Sequence, residues 1–154
     1  MREFKVAPIR NGTVIDHITA GQALNVLKIL GVNEYNIDSS IIVMMRVPTK
    51  KEAGGWKDVV KVEDRELDTK TVDKIALISP NATIVIIRDY SVAEKKKVTL
   101  SPVITRLVRC SNPNCITNKN EPVDPEFDVV SKDPPTLRCM YCDRTLSKIS
   151  DNLI

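Results

Sequence analysis

The first hundred residues hold no cysteine, and the 154-residue chain has one histidine, five glycines and only 4% aromatic residues. A lone histidine, His17, with no cysteine near it in sequence offers little from which to build a nucleophile and its base. Neither a GxGxxG nor a P-loop pattern occurs, so the usual glycine-rich phosphate cradles are missing. No apolar run approaches the ~20 residues of a membrane span. The opening Met1-Arg2-Glu3-Phe4-Lys5 lacks the apolar stretch of a secretory signal. The chain is therefore expected to be cytoplasmic with no membrane partner, and its four cysteines need a role other than disulfides. Charge is also modest. Lys plus Arg is 23 against 20 for Asp plus Glu, a net +3, far from the dense positive field of a dedicated nucleic-acid binder.

What is present divides into two parts. All four cysteines, Cys110, Cys115, Cys139 and Cys142, lie in the last third. The charge run Glu94-Lys95-Lys96-Lys97, followed by Ser101-Pro102, reads as a solvated boundary. Residues 1–99 and 100–154 are expected to form separate domains.

The first part alternates strand and helix signals. Thr13 to Ile18 reads as a strand, and Thr19-Ala20-Gly21-Gln22 matches a capping box. Ala20, Ala23, Leu24 and Leu27 recur at helical spacing, with Gly31 as the closing cap. Ser40 to Val47, ended by Pro48, is a β-branched and Met-rich strand. The Gly54-Gly55 turn leads into Trp56 to Glu63, a third strand segment. Asp68 or Thr69 caps a second helix bearing Val72, Ile75 and Ala76, and Ala82 to Ile87 closes the set. The order β-α-β-β-α-β predicts an α+β chain with a ferredoxin-like, split β-α-β first domain. In that arrangement both helices cover one face of the sheet and the other stays open.

The cysteines form C-x₄-C and C-x₂-C pairs, the spacing at which two tight turns present thiolates to one tetrahedral ion. Two disulfides, or a redox CxxC with two bystanders, are the competing readings. The first conflicts with the cytosolic start, and the second lacks a surrounding thioredoxin-like unit. One structural zinc per chain is the expectation, in a small, mostly β module whose few apolar residues need the metal to stay folded. With four thiolates no position is left for a catalytic water. From Thr105 onward seven basic residues balance seven acidic ones, so the module gains little from phosphate neutralisation. Its partner is expected to be a protein surface and not a nucleic acid.

In the segment Trp56 to Glu63, strand parity puts Lys57, Val59 and Lys61 on one face and Val60 and Val62 on the other. The open face then reads basic, apolar, basic. Val14, Asp16 and Ile18 are expected to share a face of the neighbouring strand, with the Asp16 carboxylate beside the lysines. Lysines for phosphate and a carboxylate accepting from an amine or ribose hydroxyl make nucleotide-site chemistry. A plain solvated face is the alternative for such lysines.

Three stretches carry a resemblance. Gly12-Thr13-Val14-Ile15-Asp16-His17-Ile18, Lys57 to Glu63, and the cysteine set with Cys110-x-Asn112-x-Asn114-Cys115 resemble, nearly end to end, the regulatory chain family of aspartate carbamoyltransferase. The resemblance implies a non-catalytic subunit in pyrimidine biosynthesis. Its N-terminal domain would bind CTP or ATP, its zinc domain would hold the catalytic chain, and regulatory dimers would bridge catalytic trimers. Asp16, His17 and Lys61 match the family's nucleotide pocket, with Lys57 and Val59 as neighbours. Ile9, Tyr90 and Val92 match positions lining the base. Lys95 is the choice for a second phosphate lysine, with Lys96 beside it. Asn112, Asn114, Tyr141 and Asp143 fall where the family's zinc domain meets the catalytic chain. The sequence departs from the family at Glu94, where a small residue is common, and at Val85 and Ile86, which replace more polar residues. The expected function is an allosteric regulatory subunit; the runner-up is a free-standing zinc-ribbon adaptor in transcription or translation.

Overall fold

A computed structural model describes residues 8–33, 37–50, 55–120, 122–132 and 134–154. The charged opening residues and Gly54 of the predicted turn lie outside the described residues. Among the described residues, five strands and two helices form an α+β first unit. These are β1 (Gly12–Thr19), α1 (Ala23–Ile29), β2 (Ile41–Pro48), β3 (Trp56–Glu63), α2 (Thr69–Ile78), β4 (Thr83–Arg88) and β5 (Ser91–Lys97). Every neighbour pair is antiparallel in the order β2-β3-β1-β4-β5. This is the split β-α-β arrangement with one strand added at an edge. A second antiparallel sheet follows in the order β6-β7-β8-β9. Its strands are β6 (Val103–Thr105), β7 (Glu126–Lys132), β8 (Pro135–Cys139) and β9 (Thr145–Leu146).

One face of the first sheet is the core. Ile15 and Ile18 from β1, Val60 and Val62 from β3, and Ile84 and Ile86 from β4 are buried against Ala23, Val26 and Leu30 on one side and Ile75 to Ile78 on the other. Burying each such Val, Leu or Ile is worth about 1.5–3 kcal/mol. The apolar cluster continues through Val98, Leu100, Ile104 and Val108 into Phe127 and Leu137 of the second sheet.

α2 starts as expected: the Asp68 carboxylate accepts from the Thr71 amide at 2.8 Å. α1 does not. No capping box forms, Thr19 is still strand, and Gln22 occupies the cap position without a side-chain bond. The orphan amides of Gly21 and Ala23 are taken instead by Asp58 of β3, at 2.9 and 3.0 Å. A buried carboxylate from across the sheet outcompetes a local hydroxyl because charge-assisted bonds are the stronger ones. The apolar face of α1 is accordingly Ala23, Val26 and Leu30, and Leu24 points outward at 59% exposure.

Two other expectations change. The solvated run Glu94 to Lys97 is most of a strand that was not expected, β5, joined to β4 by a two-residue turn with Asp89 and Tyr90 at φ 50° and 66°. That left-handed pair is the twist-matched hairpin geometry. β5 is exposed along its whole length, so no hydrophobic periodicity betrays it. In β1, a bulge between Ile15 and Ile18 with His17 at φ 56° shifts the alternation by one. Ile18 therefore joins Ile15 in the core and does not share a face with Val14 and Asp16.

Gly12 opens β1 at φ +144°, where a Cβ would stand 2.1 Å from the Val62 carbonyl oxygen. Backbone cannot yield there as a flexible side chain would. Gly12→Ala is predicted to destabilise the chain by about 2–4 kcal/mol in urea unfolding; an unchanged midpoint would contradict the packing described.

Candidate functional sites

The helix-free face of the first sheet gathers most of the predicted nucleotide residues. Directly opposed pairs run Lys61 to Val14, Val14 to Val85, and Val85 to Lys95. Residues opposite one another project to the same side, so Lys61 and Lys95 stand on one row at either end of a valine pair. Lys96 instead opposes buried Ile84 and lines a cleft of about 330 Å³ on the helix-bearing side. A second bulge, between Ile86 and Ile87, lets Val92 oppose Ile87 while Lys95 opposes Val85. Val92 and Lys95 thereby reach the same face although three residues apart. Val59 is buried in the middle of this face. Lys61 is half-buried, less exposed than its strand position suggested.

The β1 bulge organises the other end. The Asp16 carboxylate accepts from the His17 amide at 2.7 Å and pairs with the Lys57 ammonium at 2.9 Å. Half-burial opposes the Asp16 charge. The Lys57 and His17 bonds and charges outweigh that and hold the carboxyl below its ordinary value. His17 Nδ1 lies 3.2 Å from the Thr83 hydroxyl. Thr83 has no sequence signal of its own; only the register of β4 against β1 brings it here. Ile9 is buried, and the Tyr90 amide donates to the Arg10 carbonyl, tying the approach to β1 to the β4–β5 turn. Tyr90 and Val92 remain 65% and 60% exposed.

The metal centre is compact. All four Sγ atoms of Cys110, Cys115, Cys139 and Cys142 lie within 4.8 Å of one another. The Cys110–Cys142 and Cys115–Cys139 separations are 3.6 and 3.7 Å. A tetrahedron with Zn–S bonds of about 2.3 Å has edges of about 3.8 Å, so the sulfurs already stand at zinc spacing. Local turns supply this. Cys115 N–H closes a turn on the Asn112 carbonyl, the Asn112 side chain accepts from Asn114 N–H, and the Asn118 amide clamps the carbonyls of Cys110 and Asn112. On the other side, Cys139 and Asp143 to Arg144 exchange backbone bonds around the Met140-Tyr141 turn. Burial pushes the Cys110 thiol up to about 12. At Cys142 burial is outweighed by bonds from Arg144, Asn112 and the neighbouring sulfurs, which bring the thiol to about 7. Four crowded thiols cannot all ionise without a cation among them; a divalent ion resolves the conflict. The set fits one structural zinc, which closes the module by cross-linking its turns and leaves no open coordination position.

Around this centre Asn114, Tyr141 and Asp143 are exposed and Asn112 is half-buried. Ile116 and Met140, which the sequence did not single out, expose their side chains beside Cys115 and Cys139.

Comparison with known proteins decides the family. Residues 4–99 match the aspartate carbamoyltransferase regulatory chain, allosteric domain, and residues 102–150 match the metal binding domain of the same chain. The chain belongs to the aspartate carbamoyltransferase regulatory chain family. A regulatory chain from Methanothrix thermoacetophila is 57% identical over 147 residues, covering 96% of this chain and 94% of its own length. One from Thermofilum pendens is 55% identical over 152 residues, covering 97% and 94%. One from Pyrococcus abyssi is 50% identical over 148 residues, covering 96% and 95%. This regulatory chain is thus a non-catalytic subunit with an allosteric and a metal-binding domain, and its class implies association with catalytic chains. The adaptor reading gives way to this assignment. No helix among the described residues is long and apolar enough to cross a membrane.

Metal analysis of the regulatory chain should return one zinc, and Cys142→Ala should lose it. Thiol–metal cross-links are folding energy in such modules, so β6 to β9 should then lose amide protection while β1 to β5 keep theirs. A chain without zinc that retains a protected second sheet would contradict this.

Proposed function

We propose that this regulatory chain binds CTP and ATP across the open face of its first sheet and docks catalytic chains through its zinc module. The observation that carries the reading is the cross-strand row Lys61–Val14–Val85–Lys95, flanked by the Asp16–Lys57 pair. A triphosphate lying across the strands meets Lys61 and Lys95. Lys57 is already neutralised by Asp16, so its part is to hold that carboxylate charged for the ribose or base. Tyr90, Val92 and Ile9 border the base end, with His17 and Thr83 behind Asp16. Val59 supplies the floor.

Asn112, Asn114, Tyr141 and Asp143 are the proposed contacts with the catalytic chain, with Ile116 and Met140 adding apolar area beside them. Exposed side chains next to metal-fixed turns suit such a contact, because little conformational freedom is left to lose on docking. The domain limits are proposed as 1–99 and 100–154, the setting as cytoplasmic, and the regulatory chain as self-pairing. Edge strand β2 carries a row of half-exposed apolar residues, Ile41 to Met44, and an unpaired edge of that kind seeks a second copy. For effectors to regulate, they must bind the assembly's quaternary states unequally.

Calorimetric titration of CTP and ATP into the zinc-loaded chain tests the site. The wild type should bind both, and Lys61→Ala should weaken each by about ten- to a hundredfold, the loss of one charged hydrogen bond. Asp16→Ala should change the ratio of the two affinities. Wild-type protein that binds neither nucleotide at millimolar concentration would overturn the reading; normal binding by Lys61→Ala would move the phosphates elsewhere.

A further inference from the structure

Asp58 sits between Lys57 and Val59, yet it belongs to neither the nucleotide face nor the apolar core. Its side chain is fully buried. Oδ2 accepts from the amides of Gly21 and Ala23 at 2.9 and 3.0 Å, and Oδ1 accepts from the amide of Arg46 at 2.8 Å. Those donors come from both sides of β3. Gly21 and Ala23 form the exit of β1 into α1, and Arg46 sits at φ 58° in an irregularity of β2 between Met44 and Val47. β1 carries its own extra residue between Ile15 and Ile18, and Ile18 is the residue opposite Asp58. Both neighbours of β3 therefore lengthen by one residue against the same short stretch, Lys57 to Val60. A carboxylate taken out of water must be surrounded by donors, and regular ladders would spend those amides on strand carbonyls. The β2 irregularity frees the Arg46 amide, and the turn that leaves β1 frees those of Gly21 and Ala23.

Asp16 reaches the open face by alternation from Val14, and the β1 bulge begins at the next residue: the Asp16 carboxylate accepts from the displaced His17 amide at 2.7 Å and stands 2.9 Å from the ammonium of Lys57. We infer that Asp58 is a positioning residue for the effector face. By holding the β1 exit and the β2 irregularity against β3, it sets the path on which Asp16 meets Lys57. The inference rests on the nucleotide reading for its functional half and stands on the Asp58 geometry for the rest. Asparagine cannot replace it. One end of the amide is a donor and would face either the Arg46 N–H or the pair from Gly21 and Ala23, leaving buried donors unmatched.

The test uses the full zinc-loaded chain and two readouts. First, the Asp16 carboxyl is titrated by carbon NMR without nucleotide, in wild type and Asp58→Asn. With its Lys57 contact loosened, Asp16 in the variant should titrate nearer its ordinary 3.8 than in the wild type. Second, CTP and ATP affinities should fall about tenfold in Asp58→Asn but change less than about twofold when Asp16 is already alanine, since non-additivity of that kind marks action through a shared partner. Gly21→Ala is the milder second variant should Asp58→Asn not fold. Its methyl meets nothing within 4 Å, and φ +95° strains only the turn that delivers one donor. The same direction of change is expected there. An unshifted Asp16 in a folded variant overturns the inference, as does an equal loss of affinity in both backgrounds, which marks a general weakening of the fold. A wild type that binds no nucleotide while Asp16 still shifts would sink the proposed function, and with it the effector half of the inference. The Asp58–Asp16 coupling would be left standing.

Discussion

A buried carboxylate is expensive unless donors surround it, and the first sheet is arranged around one such group. Asp58 draws the amides of Gly21, Ala23 and Arg46 inward. Each strand beside β3 carries an extra residue against the stretch that holds it. The consequences reach both faces. On the core side, α1 is capped from a distant strand and lies with Ala23, Val26 and Leu30 inward. On the open side, parity breaks at His17, and Asp16 pairs with Lys57. A third irregularity, in β4 and β5, completes the pattern by placing Val92 and Lys95 on the face that carries Lys61. A perfectly regular β5 would put Val92 on the face opposite Lys95.

The second unit solves the opposite problem. It has too few apolar residues for a core of its own, and Phe127, Leu137 and Leu146 bury what there is. Four sulfurs at zinc spacing supply the missing cross-links. Because the ligands sit on two short turns, the residues between and after them are presented outward on a rigid frame. The shared apolar cluster from Leu100 to Val108 then ties that frame to the helices of the first unit. The lysine-bearing face of the first sheet and the turns around the metal centre thus belong to one packed body, the minimum needed for one to influence the other.

Much of this was legible in the residues. The strand Trp56 to Glu63, the Asp68 cap and the cysteine set each depend on neighbours in sequence, and pattern reading reaches them. The failures share a cause. Thr19 to Gln22 has the letters of a capping box, but the competitor for those amides lies 35 or more residues away on β3. The bulges in β1, β2 and β4–β5 are responses to tertiary demands and leave no mark on local propensity. β5 escaped notice because a fully exposed edge strand of Glu and Lys is the way sheets discourage stray pairing, and it looks like a linker. For the proposed nucleotide site, strand parity put Lys57, Lys61 and Asp16 on one face, and the resemblance added Ile9, His17, Tyr90, Val92 and Lys95, which lie far apart in sequence.

The proposed function links nucleotide on the open face to catalytic chain on the zinc module. The most direct measurement is carbamoyltransferase activity of the catalytic chain reconstituted with this zinc-loaded regulatory chain, followed against aspartate concentration with and without CTP and ATP. The nucleotides should shift the saturation curve, and Lys61→Ala, with zinc and assembly intact, should no longer transmit the shift. A fully assembled wild-type complex whose curve ignores both nucleotides would contradict the proposed function.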